Sequence, residues 1–178
     1  MLIDAVGACV RQGVNLSLVV VGDGKHRPEL EARARASGLD GRAQFLGQLP
    51  AGAPVRAQLD RADLFVLPSR QEGLPRAMLE AMARALPCIG STVGGIPELL
   101  PHEDMTPPND ADALAHRIRE AATNPQRMAQ MSARDLHKAQ DYREDVLRAR
   151  RIQFYRYVQE RTEAWLHHGH QGRFHGGG

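Results

Sequence analysis

The sequence predicts an α/β fold, a doubly wound parallel sheet followed by C-terminal helices, and three observations lead there. Apolar, strand-like runs alternate with helical patterns through residue 100, and the connections between them are short. The turns at 22 to 24, 46 to 49, 68 to 74 and 92 to 96 all follow predicted strands. In sheets of this kind ligands sit beyond the carboxyl ends of the strands, so those four turns would line one edge.

Taken in order, MLIDAVGACVRQGVN reads as an amphipathic helix with Leu2, Ile3, Val6, Cys9 and Val10 on one face and Gly13 near its end. LSLVVVGDG, residues 16 to 24, is predicted as a buried, parallel-type strand ending in a glycine turn. Gly22 and Gly24 could open a dinucleotide fingerprint, but the third glycine would fall at position 27, which is Arg27. Asp40 lies in a Gly-rich turn and ends no second strand, so a nicotinamide or flavin enzyme is disfavoured. RPELEARARASGL (27 to 39) is a helix with Pro28 near its start and Gly38 at its end; RAQFLG (42 to 47) is a short strand.

VRAQLDRA is a helix leading into the apolar run ADLFVLPS (62 to 69), and an apolar-faced segment then continues to Leu86. LPCIGST (86 to 92) is another strand, and VGGIPELL begins a short helix with two glycines at its entrance. PHEDMTPPND, from Pro101 to Asp110, reads as a loop in which a final strand is short or missing. DADALAHRIREAATNP is a capped helix that Pro125 ends, and the rest to about His168 is one or two helices with apolar residues from Met128 to Trp165. Residues 1 to 166 are therefore expected to form the domain, with 167 to 178 a disordered His/Gly-rich tail rather than a metal site, despite His167, His168, His170 and His175.

Composition narrows the function classes. With 178 residues and 42% hydrophobic content the chain is long enough for one core. A net charge of +2 does not call for nucleic acid, and the basic residues concentrate after residue 115, where solvated helix faces account for them. Cys9 and Cys88 are far apart and lack metal spacing, so a reducing cytoplasm is the default. No run of about 18 apolar residues and no signal-peptide pattern is present. A soluble protein is expected, with peripheral membrane contact left open.

The stretch richest in chemistry is EGLPRAMLE, Glu72 to Glu80, read as a tight turn between a strand and a helix. Pro75 is expected at the first helical position with Leu74 as the cap. The N–H groups of Gly73, Leu74, Arg76 and Ala77 would then gather where the helix's partial positive charge favours a phosphate. Ala77, Met78, Ala81, Met82, Ala85 and Leu86 recur at helical spacing and should pack against the sheet. Glu72 and Glu80 bracket the helix start. A carboxylate only accepts hydrogen bonds, which suits sugar or ribose hydroxyls, each such bond being worth about 1.5 to 3 kcal/mol. The plainer alternative has Glu72 stabilising the helix dipole and Glu80 paired with Arg76 and Arg84 at four-residue spacing.

The string LFVLPSRQEGLPRAMLEAMARALPCIGSTVGGIPELL, residues 64 to 100, resembles the donor-binding half of the retaining group 1 glycosyltransferases, family 4, of the GT-B fold. Their signature is Glu, seven residues, Glu, inside a Pro-Ser, Glu-Gly-Leu-Pro, Leu-Glu-Ala-Met frame followed by Gly-Gly-Ile-Pro-Glu, and every part is present. The resemblance implies a Rossmann-like, C-terminal GT-B half and transfer of a sugar from a nucleotide-diphosphate sugar, with no metal and no further cofactor. It implies that Glu72, the catalytic candidate, approaches the hydroxyls of the transferred sugar and that Glu80 approaches the ribose. Backbone N–H groups at Gly73 and Leu74, with Pro75 in the same turn, would meet the sugar or distal phosphate. The Gly22, Asp23, Gly24 turn would line the donor cleft, and the backbone after Phe45 and Leu46 would meet the nucleobase.

Members of that family place a strand and a loop carrying an arginine and a lysine before the first helix, and both basic residues are absent here. The resemblance thus implies a sheet lacking one central strand, an acceptor domain supplied from elsewhere, and a chain inactive alone. Because the last GT-B helix crosses back to the N-terminal domain, apolar groups near the C-terminus would need a partner outside this chain. A non-catalytic nucleotide-binding or partner-interaction module derived from the same fold is the alternative. A nucleotide-sugar epimerase fits the Glu-Gly-Leu-Pro frame less well.

Overall fold

The computed structural model describes residues 1–169, in two compact units that divide between Ala139 and Gln140. The predicted tail from residue 170 onward lies outside the described residues.

In the first unit, α1 (Leu2–Arg11) and α5 (Ala111–Ala122) pack their apolar stripes together. Ile3, Ala5, Val6 and Cys9 face Leu114, Ala115, Ile118 and Ala121 in the core, and the Cys9 thiol donates to the Ala115 carbonyl at 3.2 Å. The stripe in α1 is the one its helical periodicity predicts. Asp110 caps α5, its carboxylate accepting from the Ala113 N–H at 2.8 Å, which satisfies one of the orphan donors of the first turn.

Among the described residues five strands complete the alternation: β1 (Leu18–Val21), β2 (Ala43–Gly47), β3 (Phe65–Leu67), β4 (Cys88–Ser91) and β5 (Met105–Thr106). Helices α2 (Arg27–Ala36), α3 (Ala53–Leu59) and α4 (Arg76–Met82) lie between them in sequence. All strand pairs are parallel, but they fall into two sheets, β1-β2 and β3-β4-β5. Both sheets feed one core cluster, which takes in Leu18 and Val20 as well as Leu64, Val66 and Ile89.

This division corrects the expectation of a buried first strand. β1 buries Leu18 but exposes Val19 and Val21 at 47% and 42%. Only one of its edges has a bonded neighbour, and burial on both faces needs cover that a two-stranded sheet lacks. β4, flanked on both sides, is buried at every residue. β5 is as short as expected, since Pro107 and Pro108 follow it and cannot donate to a ladder.

Helix α6 (Pro125–Ala139) begins at the proline that was expected to end α5. It is fastened by charge. Asp135, fully buried, accepts from the Cys88 N–H at 2.9 Å and from the Arg134 guanidinium at 2.7 Å. Asp104, also fully buried, pairs with Arg127 at 2.7 Å and with Arg134. These two arginines therefore do not belong to a solvated face, because the aspartates opposite them lie inside.

The second unit holds a short 3₁₀ turn at Gln140–Tyr142 and the long helix α7 (Glu144–Gly169). The helical backbone thus runs to Gly169, past residue 166. α7 carries exposed aromatic side chains, among them Phe154, Tyr155, Tyr157 and Trp165, with Phe154 and Tyr155 edge-to-face at 5.9 Å. Among the described residues no helix is long and apolar enough to cross a membrane.

Candidate functional site

After β3 the chain passes through Pro68 and Ser69 into the turn that opens α4. Pro75 is buried and stands at the cap with φ −77° and ψ 93°, so helix begins one residue later than predicted, at Arg76. The Pro75 carbonyl already accepts from the N–H groups of Met78 and Leu79, at 3.1 and 3.2 Å, which is the work of a cap residue. The helix stops at Met82, short of the predicted Leu86, and Ala85 takes a left-handed φ of 57°. Met78, Ala81, Met82 and Leu86 are buried as expected. Ala77 is exposed instead, because the buried stripe of so short a helix is narrow and Ala77 lies at its margin.

Glu72 is half-buried, and its Oε1 accepts a hydrogen bond from the Ser69 hydroxyl at 2.6 Å. Such a charge-assisted bond fixes the carboxylate's direction within the turn. No side chain among the described residues forms an ion pair with it. Glu80 is exposed, and the four-residue pairs with Arg76 and Arg84 do not form; Arg84 bonds Asp60 instead.

The loop after β4 presses against this turn. The Gly95 N–H donates to the Gly73 carbonyl at 2.9 Å. A Cβ at Gly94 would lie 2.0 Å from the Glu72 carbonyl oxygen, and one at Gly95 would lie 2.8 Å from that of Gly73. Gly94 also has a φ of 53°, so both its space and its backbone require glycine. The two glycines lock the backbone that carries Glu72, Gly73 and Leu74. The sequence showed them as two glycines at the entrance of a short helix and as part of a signature, but not their approach to the Glu72 turn.

A second cluster gathers at the ends of β1 and β2. The Gly22 N–H donates to the Gly47 carbonyl at 2.8 Å, and Asp23 accepts from the Gly24 N–H at 2.8 Å. Arg27 donates to the Phe45 carbonyl and to Glu31, each at 2.8 Å, and lies 3.7 Å from Asp23. Gly22, Asp23 and Gly24 are thereby brought beside the strand end that bears Leu46, which is 36% exposed. Arg27 is a site-edge residue the sequence showed only as a missing glycine. No hydrogen bond or ion pair among the described residues links this cluster to the Glu72 turn.

Burial pushes the Cys88 thiol far up, with the Asp135 charge adding to it, and burial raises Cys9 as well, so neither offers a thiolate. Among the described residues no group of three His, Cys, Asp or Glu side chains is placed to hold a metal ion.

Residues 1–124 match the family described as Glycosyl transferases group 1. The amylovoran biosynthesis glycosyltransferase AmsK of Erwinia amylovora is 35% identical over 125 residues, which are 64% of this chain and 30% of AmsK. The alpha-D-kanosaminyltransferase of Streptomyces kanamyceticus is 31% identical over 139 residues, 74% of this chain and 35% of that protein. The chain thus spans about a third of the length of these relatives.

Among solved structures, sucrose-phosphate synthase from Thermosynechococcus elongatus matches at a TM-score of 0.76 and 26% identity, across 89% of this chain and 42% of that one. Anabaena HepE, in complex with UDP, matches at a TM-score of 0.73 and 27% identity, across 89% and 44%. The alternating parallel strands, the Glu72 turn locked by Gly94 and Gly95, and these matches agree: the chain belongs to the group 1 glycosyltransferases and carries part of their GT-B fold.

Proposed function

We propose that this chain is the donor-binding half of a retaining glycosyltransferase, which moves a sugar from a nucleotide-diphosphate sugar to an acceptor. The observation that carries the reading is the Glu72 carboxylate, directed by Ser69 and seated on a turn that two glycines hold in place. Glu72 is the catalytic candidate and accepts from hydroxyls of the transferred sugar. Glu80, exposed and without an ion pair among the described residues, accepts from the ribose. The N–H groups at Gly73 and Leu74 meet the sugar or distal phosphate, and Pro75 sets the turn's exit. Gly22, Asp23 and Gly24 border the cleft, and the backbone at Leu46 meets the base.

The leaving group is a nucleoside diphosphate, so stabilising its growing negative charge is a large part of the task. Backbone donors of the turn and the exposed Arg76 serve that end without a metal. Acceptor recognition belongs to residues outside this chain, so the chain binds donor but does not turn it over alone. Support for this comes from its share of about a third of the matched relatives' length.

Calorimetric titration with UDP-, GDP- and ADP-sugars tests the reading. One of these donors is expected to bind, and Glu72→Ala to weaken it by roughly 1.5 to 3 kcal/mol. Absence of binding by all three, with an assembly-competent partner-bound form that also fails to turn over, would favour a non-catalytic interaction module.

A further inference from the structure

We propose that Arg27 is a positioning residue, which fixes the backbone at Leu46 from outside the ladder and so sets which nucleobase the donor site prefers. This role rests on the reading of the chain as a donor-binding half, and it adds a side chain that acts through the backbone rather than on the ligand.

The backbone at Leu46 leaves the ladder. The Leu18 N–H donates to the Arg42 carbonyl at 2.8 Å, so regular parallel spacing would bring the Gly22 N–H to the Leu46 carbonyl. It donates to the Gly47 carbonyl instead, also at 2.8 Å. The register shifts at the same place, from Val20 opposite Phe45 to Val21 opposite Gly47. Leu46 is therefore the extra residue of a bulge, and its carbonyl is released from the ladder to accept from a ligand. A bulge alone does not hold such a carbonyl still, least of all beside Gly47 with its φ of 70°.

Arg27 supplies the hold. Ladder alternation turns Arg42 and Gln44 toward β1 and Phe45 toward the outer edge of β2, where no strand pairs among the described residues. There the Phe45 carbonyl accepts from Arg27 Nη2 at 2.8 Å. Nε of the same guanidinium donates to Glu31 at 2.8 Å, and Nη1 stands 3.7 Å from Asp23. On the far side of the bulge, a Cβ at Gly47 would lie 3.1 Å from Arg27 Nη1. One planar group thus lies against the residue before the bulge, the residue after it and the turn at Asp23.

Arg27 also stands where a helix gains nothing from it. It opens α2, whose positive end disfavours a cation. Glu31 and Asp23 offset that charge and orient the guanidinium fork. A lysine could reach one of these acceptors but could not bridge them. With the backbone held before the ligand arrives, less ordering is needed on binding. The fixed Leu46 carbonyl then accepts well only from a base whose N–H meets it, whereas a mobile one would adapt to several.

The test is calorimetric titration of the full 178-residue protein with UDP, GDP and ADP, in wild type, Arg27→Met and Arg27→Lys. Wild type is expected to prefer one base. Both variants should lose about tenfold for that nucleotide and change by under about twofold for the other two, so the preference narrows and lysine, which keeps the charge, fails to restore it. Glu31→Gln, which leaves Arg27 in place but weakens its hold, should narrow the preference by a smaller factor and carries the test if either variant unfolds. An unchanged preference in the variants, full recovery by lysine, or equal losses for all three nucleotides overturns this role and leaves the donor reading standing. Wild type that binds all three alike overturns it as well; wild type that binds none removes the donor reading together with it.

Discussion

Ser69 and Glu72 form the smallest unit on which function turns. Removing the hydroxyl in Ser69→Ala leaves the carboxylate without its anchor at 2.6 Å, and about 1 kcal/mol of donor affinity should be lost, read by calorimetry. Gly94→Ala is harsher. Its methyl group would need space held by the Glu72 carbonyl oxygen, 2.0 Å away, so the turn must shift; a loss of about 1 to 3 kcal/mol in denaturant unfolding is expected. Away from the site, Arg33 holds the Asp4 carboxyl down to about 2 through bonds of 2.7 and 2.9 Å. A depressed carboxylate contributes stability above its ordinary value, near 4, and loses it as pH falls toward 2. Asp4→Asn should therefore cost about 1 kcal/mol near neutral pH, after allowance for solvent screening, and flatten the acid limb of the stability curve. Glu72 could be singled out in the sequence because its neighbours form an ordered pattern. Its bond to Ser69 and its contact with Gly94 could not, since both depend on the path of a turn.

At the scale of elements, periodicity placed α1 to α5 and β1 to β4 in order but left β5 inside a loop and α6 and α7 undivided, and it failed where a boundary depends on neighbours. The end of α4 was hidden because the alanines and leucine after Met82 continue a helical pattern that the backbone abandons at Ala85. The exposure of β1 was hidden because its apolar run is the same whether or not a strand lies alongside. The tie between α6, β4 and the segment before β5 was also unreadable. Arg127 and Arg134 look solvated in sequence, yet they neutralise the buried Asp104 and Asp135. Burial pushes the Asp135 carboxyl upward while Arg134 pulls it back. Asp135→Ala would leave Arg134 short of a partner and free the Cys88 N–H inside the protein. A loss of about 3 to 5 kcal/mol is expected in chemical denaturation, by the usual cost of breaking a buried pair.

On the scale of the whole molecule, two parallel sheets share one core, the turns after β1 and β2 meet in one cluster and those after β3 and β4 in another. Fold class was legible because alternation and short connections admit few topologies. The division into two sheets agrees with the sheet lacking one central strand that the family resemblance implied, although periodicity alone does not encode which strand neighbours are present. Donor recognition is the claim on which the functional account rests. The most direct measurement compares wild type and Glu72→Ala for a nucleotide-diphosphate sugar and for the same nucleoside diphosphate without its sugar. The account predicts a roughly 10- to 100-fold loss for the sugar nucleotide and a change under about twofold for the nucleoside diphosphate. Equal losses for both ligands, or none for either, would contradict a sugar-facing role for Glu72.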